Sequence, residues 1–256
     1  MERPLYMDWI YMKEKNKVFG LLGRNIDYSF SRGYFSEKFE REGISASYQN
    51  FDIEEISMLK ELLEKQSLQG LNVTIPYKEE VIPYLDDLDE TAKNIGAVNT
   101  IVFRHGKRIG FNTDCIGFER ALKTQLKPHH IKALVLGTGG ASKAVCYVFG
   151  KLGIGCQLVS RTGGSGRKTY AQLDENDYQT HNIIVNCTPL GTYPKIEETP
   201  PVDFSHISEK HLLFDLIYNP SQTHFLSMGK AQGADISNGL YMLEQQAEAA
   251  WELWNQ

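Results

Sequence analysis

The sequence contains no apolar run of 18 residues, so no segment of it reads as a membrane-spanning helix. It has no cysteine pair at CxxC spacing. Its four cysteines, Cys115, Cys146, Cys156 and Cys187, are scattered among apolar stretches. That excludes a zinc finger or a disulfide scaffold and predicts buried free thiols in a reducing compartment, the cytoplasm. No His/Cys cluster suggests a metal site. Positive charge is not in excess either: 27 Lys and Arg against 32 Asp and Glu give a net charge of −5, which argues against a nucleic-acid surface. No secretory signal is expected either, because the apolar LYMDWIYM precedes the basic KEKNK, the reverse of signal order. Residues 1–17 therefore read as an N-terminal extension, and removal of Met1 to Tyr11 is expected to leave activity intact.

What remains is an ordinary globular composition, 41% hydrophobic and 23% charged, over 256 residues, one large domain or two small ones. Val18–Leu22 reads as a strand, Ser31 as the cap of a helix to about Glu42, and Ala46–Asn50 as a second strand. Asp52 and Glu55 resemble a capping box ahead of a helix with Ile53, Ile56, Leu59, Leu62 and Leu63 on one face. Gly70–Ile75 alternates as a strand and stops at Pro76. Asp89–Ile95 is a short helix closed by Gly96, and Ala97–Phe103, the turn HGKR (105–108) and Ile109–Asn112 read as a hairpin. The second half changes character. ALVL (133–136), Cys156–Ser160, IIVN (183–186) and LLFDL (212–216) are near-continuous apolar runs, as expected of parallel strands covered on both faces. A helix runs from Leu240 to Trp254.

Gly137-Thr138-Gly139-Gly140-Ala141 joins a buried strand to a helix. Glycines there let the backbone approach a pyrophosphate, and the helix N-terminus offers N–H groups and a partial positive charge. A lone glycine pattern is weak, but strand, turn and helix come in the right order. NAD sites place an acid about 20 residues on, to bind the ribose 2′-hydroxyl. Here the strand ends Ser160-Arg161-Thr162, with Arg167 and Lys168 nearby. An acid would repel a 2′-phosphate, whereas Arg161 attracts it, so the reading is NADP.

The first half supplies Ser29 and Ser31 at a helix start, Asn72 and Thr74 at i, i+2 on one face of a strand, Lys78 in the turn after Pro76, and Asn99 and Asp114 each at a strand end. Neutral hydrogen-bonders with one lysine and one aspartate suit a polyhydroxylated small molecule. Singly each has a bland reading: Ser31 and Asp114 as caps, Lys78 as a solvated lysine beside Glu79 and Glu80.

Taken together, YSFS, LNVTIPYK, IGAVNT, FNTDCIGF, LGTGGAS, SRT, NCTPLG, FDLIYNP and NGLYMLEQQA resemble the shikimate dehydrogenase family, in the family's order, from Val18 to Trp254. The resemblance implies an α/β fold of two domains. Residues 18–114 with 238–256 would be the substrate domain, and 115–237 an NADP-binding Rossmann domain. It implies reversible reduction of 3-dehydroshikimate to shikimate by NADPH, a step toward chorismate and the aromatic amino acids. Lys78 would be the acid/base, paired with Asp114. Ser29 and Ser31 would hold the substrate carboxylate. Asn72, Thr74, Asn99, Asp114 and Gln246 would bind the rest of the substrate, with Tyr218 beside them. Gly137 to Ala141 and Ser160 to Thr162 would bind the cofactor, with Thr188, Leu216 and Gly239 lining its path.

The sequence departs from the family at Tyr28, Arg32, Ser160, Ser165, Cys187 and Thr192. Only about 20 residues separate SRT from IIVN, short for a crossover helix and a strand, so that half of the cofactor domain is expected to be truncated. Rival readings are a quinate dehydrogenase using NAD, a Rossmann reductase of another carbonyl, and a non-catalytic sensor on the same fold. The missing acid argues against NAD, and retention of both Lys78 and Asp114 argues against a sensor. Partners are expected to be small molecules only, with the chain a monomer or homodimer.

Overall fold

A computed structural model describes residues 17–27, 29–65 and 67–256. The expected N-terminal extension and Tyr28 lie outside the described residues, except that Lys17 opens the first strand. The chain divides into two compact units. One holds the chain to Asp89 together with Val98–Phe111 and Leu253–Gln256; the other holds Glu90–Ala97 and Asn112–Glu252.

The first unit contains β1 (Lys17–Gly23), α1 (Phe30–Glu42), β2 (Ala46–Asp52), α2 (Leu59–Lys65), β3 (Leu68–Val73), β4 (Asp87–Leu88), β5 (Thr100–Arg104) and β6 (Lys107–Phe111). The sheet order is β2-β1-β3-β5-β6-β4. β1 pairs in parallel with β2 and β3, and the β3–β5 and β5–β6 pairs are antiparallel. The β5–β6 hairpin turns on His105 and Gly106, at φ 52° and 74°, the left-handed pair that matches strand twist. An aromatic cluster fills this core. Phe35 stacks on Tyr48 with centroids 4.7 Å apart, and Trp254 lies 5.0 Å from Phe19. Gly70 makes room for it, since a Cβ there would sit 2.4 Å from the Trp254 ring. The indole donates to Ile101 O at 3.0 Å.

Two local expectations change. Ser29, not Ser31, caps α1: Ser29 is extended and its hydroxyl accepts from the Ser31 N–H. Asp52 caps no helix. Its carboxylate accepts from the N–H groups of Asn25 and Ile26, and Glu55 makes no side-chain cap.

The second unit contains α3 (Glu90–Ile95), α4 (Asp114–Lys123), β7 (Lys132–Leu136), α5 (Gly140–Lys151), β8 (Gly155–Ser160), β9 (Arg167–Thr169), α6 (Glu175–Thr180), β10 (Ile183–Asn186), β11 (Leu212–Asp215), α7 (His224–Ala231), β12 (Asp235–Ser237) and α8 (Leu240–Trp254). The sheet runs β9-β8-β7-β10-β11-β12, parallel throughout. This is the doubly wound order whose direction reverses between β7 and β10. Alternate residues feed two cores. Ala133 and Val135 join Phe118, Val145, Phe149 and Phe214 on one face. Leu134 and Leu136 join Val159, Tyr178, Leu213 and Phe225 on the other. Burial on both faces is why these strands read as unbroken apolar runs.

The expected truncation is present. β8 and β9 are joined only by residues 161–166, with no helix between them. α8 is divided between the two units. Up to Glu252 this helix groups with the second unit, where Met242 enters the core; only its last residues join the first. The thiols differ from expectation. Cys115 is buried, Cys146 and Cys187 are half-buried, and Cys156 is exposed. None of the described helices is long and apolar enough to cross a membrane.

Candidate active site

In the first unit three of the predicted polar residues, Ser31, Asn72 and Asn99, meet in one network around the buried Asn72. Asn72, on β3, is 4% exposed. Its Oδ1 accepts from the Tyr48 hydroxyl at 2.8 Å, and its Nδ2 donates to Asn99 O and to Thr100 Oγ1. Thr100 Oγ1 in turn donates to Asn99 Oδ1 at 3.1 Å. The Ser31 side chain bonds Tyr48, whose hydroxyl burial pushes well above its ordinary range, so it stays a donor. Ser31, Asn72 and Asn99 are thus joined through Tyr48 and Thr100, two residues the sequence reading did not select. Ser29 belongs to the same helix start as the cap.

β3 ends at Val73, so Thr74 continues beyond the strand rather than sharing its face with Asn72 as i, i+2. The chain from Thr74 to Lys78 is held at several points. The Thr74 N–H donates to Leu22 O, the Tyr77 hydroxyl to Ile53 O at 2.7 Å, and the Val98 N–H to Lys78 O at 2.7 Å. Val98 precedes Asn99. The half-buried Lys78 is therefore fixed through its own carbonyl to the segment that carries Asn99.

In the second unit Asp114 opens α4 and is 6% exposed. It is a first-turn acid and not the cap. The side chain that satisfies this helix start is Asn112, which accepts from the Cys115 N–H and donates to Ala97 O. Gln246 lies on α8, buried, with Nε2 on Leu243 O and Oε1 accepting from Thr113 Oγ1 at 3.5 Å. Gly117 permits that approach: a Cβ there would lie 2.4 Å from Met242 O. Asp114 and Gln246 are therefore carried by α4 and α8, which meet through Thr113.

The predicted cofactor residues all fall at the carboxyl ends of the parallel strands, where open α/β sheets bind ligands. Gly137 follows β7 at φ 108°, and a Cβ on it would sit 3.3 Å from Thr188 Cγ2. Gly137 and Thr188 are thus side by side where the strand order reverses. Thr138 and Gly139 are exposed, a Cβ at Gly139 would meet nothing within 4 Å, and no side chain caps α5. First-turn N–H groups beside open space fit a pyrophosphate. After β8 the Ser160 hydroxyl donates to Thr162 O at 2.6 Å, and Arg161 is exposed. A cation without an acid at that strand end fits a 2′-phosphate. Lys168 is engaged elsewhere, with Nζ 2.6 and 2.7 Å from the two Asp177 carboxylate oxygens.

Leu216 and Gly239 meet beyond β11, next to the buried Asp215, and Tyr218 follows two residues after Leu216. The Asp215 carboxylate accepts from Thr223 Oγ1 at 2.6 Å, Asn186 Nδ2 at 3.1 Å and the Ile217 N–H at 3.0 Å. The Gly239 N–H donates to Ile217 O, and a Cβ on Gly239 would lie 2.1 Å from Leu216 O. Burial pushes Asp215 up to about 6 against those three hydrogen bonds. Neither Asn186 nor Asp215 was selected from the sequence. The available signal was a polar residue closing each of two otherwise apolar runs, IIVN and LLFD.

A family model for the shikimate dehydrogenase substrate binding domain matches residues 21–101. A shikimate dehydrogenase (NADP(+)) of Methanosphaera stadtmanae is 37% identical over 262 residues, covering 94% of this chain and 92% of its own. The crystal structure of a shikimate dehydrogenase in complex with NADP+ superposes with a TM-score of 0.85 at 33% identity, over 94% of this chain and 90% of that one. The Thermus thermophilus enzyme in complex with NADP(H) and shikimate gives 0.83 at 31% identity, over 93% of each chain. With a relative of that identity over nearly its whole length, this chain belongs to the shikimate dehydrogenase family.

Proposed function

We propose that this chain catalyses the reversible, NADPH-dependent reduction of 3-dehydroshikimate to shikimate, with Lys78 as acid/base and Asp114 as its partner. One observation carries the reading. The turn bearing Lys78 is bonded to the segment bearing Asn99, beside a buried amide and hydroxyl network, inside the region that matches the substrate binding domain model. The proposal gives the substrate-facing role to residues 18–114 with 238–256 and the cofactor-facing role to 115–237.

When bound, NADPH supplies the hydride to the C3 carbonyl. Lys78, as the ammonium, stabilises the negative charge developing on that oxygen and gives it a proton; in the reverse direction the neutral amine takes the proton back. Asp114 orients the lysine and accepts from a ring hydroxyl. Ser29 and Ser31 hold the substrate carboxylate, and Asn72, Thr74, Asn99, Tyr218 and Gln246 the remainder of the ring. Gly137 to Ala141 receive the pyrophosphate and Ser160 to Thr162 the 2′-phosphate, with Thr188, Leu216 and Gly239 along the way to the nicotinamide. The enzyme acts on small molecules in the cytoplasm, as a monomer or homodimer.

The test is absorbance at the NADPH band with shikimate or quinate and NADP or NAD. Fastest turnover is expected with shikimate and NADP. Lys78→Ala is expected to lower kcat by about 10²- to 10⁴-fold while KM changes little. Preference for quinate with NAD, or equal loss of kcat and affinity in Lys78→Ala, would overturn the assignment.

A further inference from the structure

The sequence predicts buried free thiols, but two of the four cysteines meet. The Sγ atoms of Cys146 on α5 and Cys156 on β8 are 2.9 Å apart, in hydrogen-bond contact. Their accessibility follows from the truncation. Leu158 on β8 packs into the core shared with α5, and Cys156, two residues earlier on the strand, points to that same face. Strand order continues from β7 through β8 to β9. A right-handed crossover from β8 to β9 would thus place its helix on the α5 side of the sheet. Residues 161–166 are too few to provide that helix, and Cys156 is left exposed. The neighbouring thiol of Cys156 holds Cys146 below its ordinary range, which favours a thiolate in the pair.

We propose that Cys146 and Cys156 form an oxidation site that a small-molecule disulfide such as oxidised glutathione converts to an intrachain disulfide. The pair's thiolate attacks one sulfur of the reagent. A protein–glutathione disulfide forms and one glutathione thiolate leaves. The second cysteine, already in contact, loses its proton and attacks the protein sulfur of that mixed disulfide, expelling the other glutathione. Two protein thiols and one glutathione disulfide become one protein disulfide and two glutathione thiols. The bond would tie the helix that starts at the phosphate-binding turn to the strand that ends at Ser160. The site stands independently of the reaction proposed above.

The test uses the full chain, incubated with oxidised glutathione and then denatured for thiol titration and non-reducing peptide mapping. Titratable thiols are expected to fall from four to two, with Cys146 and Cys156 in one linked peptide and all four restored by dithiothreitol. A Cys115→Ser, Cys187→Ser double variant is expected to form the same link. In Cys156→Ser the link is lost and glutathione stays attached to Cys146. Four thiols retained in the wild type, a lasting glutathione adduct on Cys156 without a link, or a link through Cys187 would each overturn the proposal.

Discussion

The Tyr48 hydroxyl reaches over β1 to donate to Asn72 Oδ1 at 2.8 Å, joining strands that are not neighbours in the sheet. Removing the hydroxyl in Tyr48→Phe leaves a buried acceptor on Asn72 and deprives Ser31 of a partner. An unsatisfied buried polar group costs about 1–3 kcal/mol. The expected result is a lower urea midpoint together with a several-fold rise in KM for shikimate, with KM for NADP unchanged. An unchanged shikimate KM at reduced stability would confine Tyr48 to the core.

Gly117 and Gly33 are both helical glycines, yet opposite effects are expected. A Cβ at Gly117 would lie 2.4 Å from Met242 O and 3.0 Å from Gln246 N. These are backbone atoms of α8 that cannot rotate away. Gly117→Ala is expected to destabilise by about 1–3 kcal/mol and to raise KM for shikimate by displacing Gln246. At Gly33 on α1 a Cβ would meet nothing within 4 Å, so Gly33→Ala is expected to stabilise by about 0.5–1 kcal/mol. Unfolding of both variants in urea checks the pair.

These contrasts show what a sequence can and cannot carry. The central strands of the parallel sheet were legible because they are covered on both faces, which forces runs such as ALVL and IIVN. β4, β9 and β12 have only two or three residues each (DL, RKT, DIS), too few to show a period. Ser29 and Ser31 are equally good caps by residue type, and only the extended backbone at Ser29 decides between them. The roles of Tyr48 and Thr100 depend on strand order, which no local pattern encodes. Cys156 reads as a buried strand residue unless the missing crossover helix is followed to the face it would have covered.

Asp215 gives a pH dependence with a definite sign. Burial pushes it up to about 6, so the folded chain holds this proton more tightly than the unfolded chain does. The stability it contributes is full below the ordinary carboxylate range and is lost as pH rises through about 6. Asp215→Asn cannot titrate. Wild-type stability relative to the variant is expected to fall by on the order of 1–3 kcal/mol between about pH 4 and pH 7. Urea unfolding at several pH values measures it, and a difference independent of pH would show that Asp215 does not titrate in this window.

Arg161 and Lys168 are both cations near the end of β8, and the structure separates their duties. Lys168 holds Asp177 through two short contacts, with the Asp177 side chain only 6% exposed. Lys168→Met strands that carboxylate and is expected to destabilise by about 1–3 kcal/mol, while the preference for NADP over NAD stays as it was. Arg161 is exposed where the 2′-phosphate is proposed to sit. A hydrogen bond to a charged group is worth about 1.5–3 kcal/mol, so Arg161→Ser is expected to raise KM for NADP by about 10- to 100-fold. KM for NAD and the unfolding midpoint should barely move. Steady-state kinetics with both cofactors on the two variants decides the matter. A loss of NADP preference in Lys168→Met, and none in Arg161→Ser, would reverse the assignment and move the 2′-phosphate toward β9.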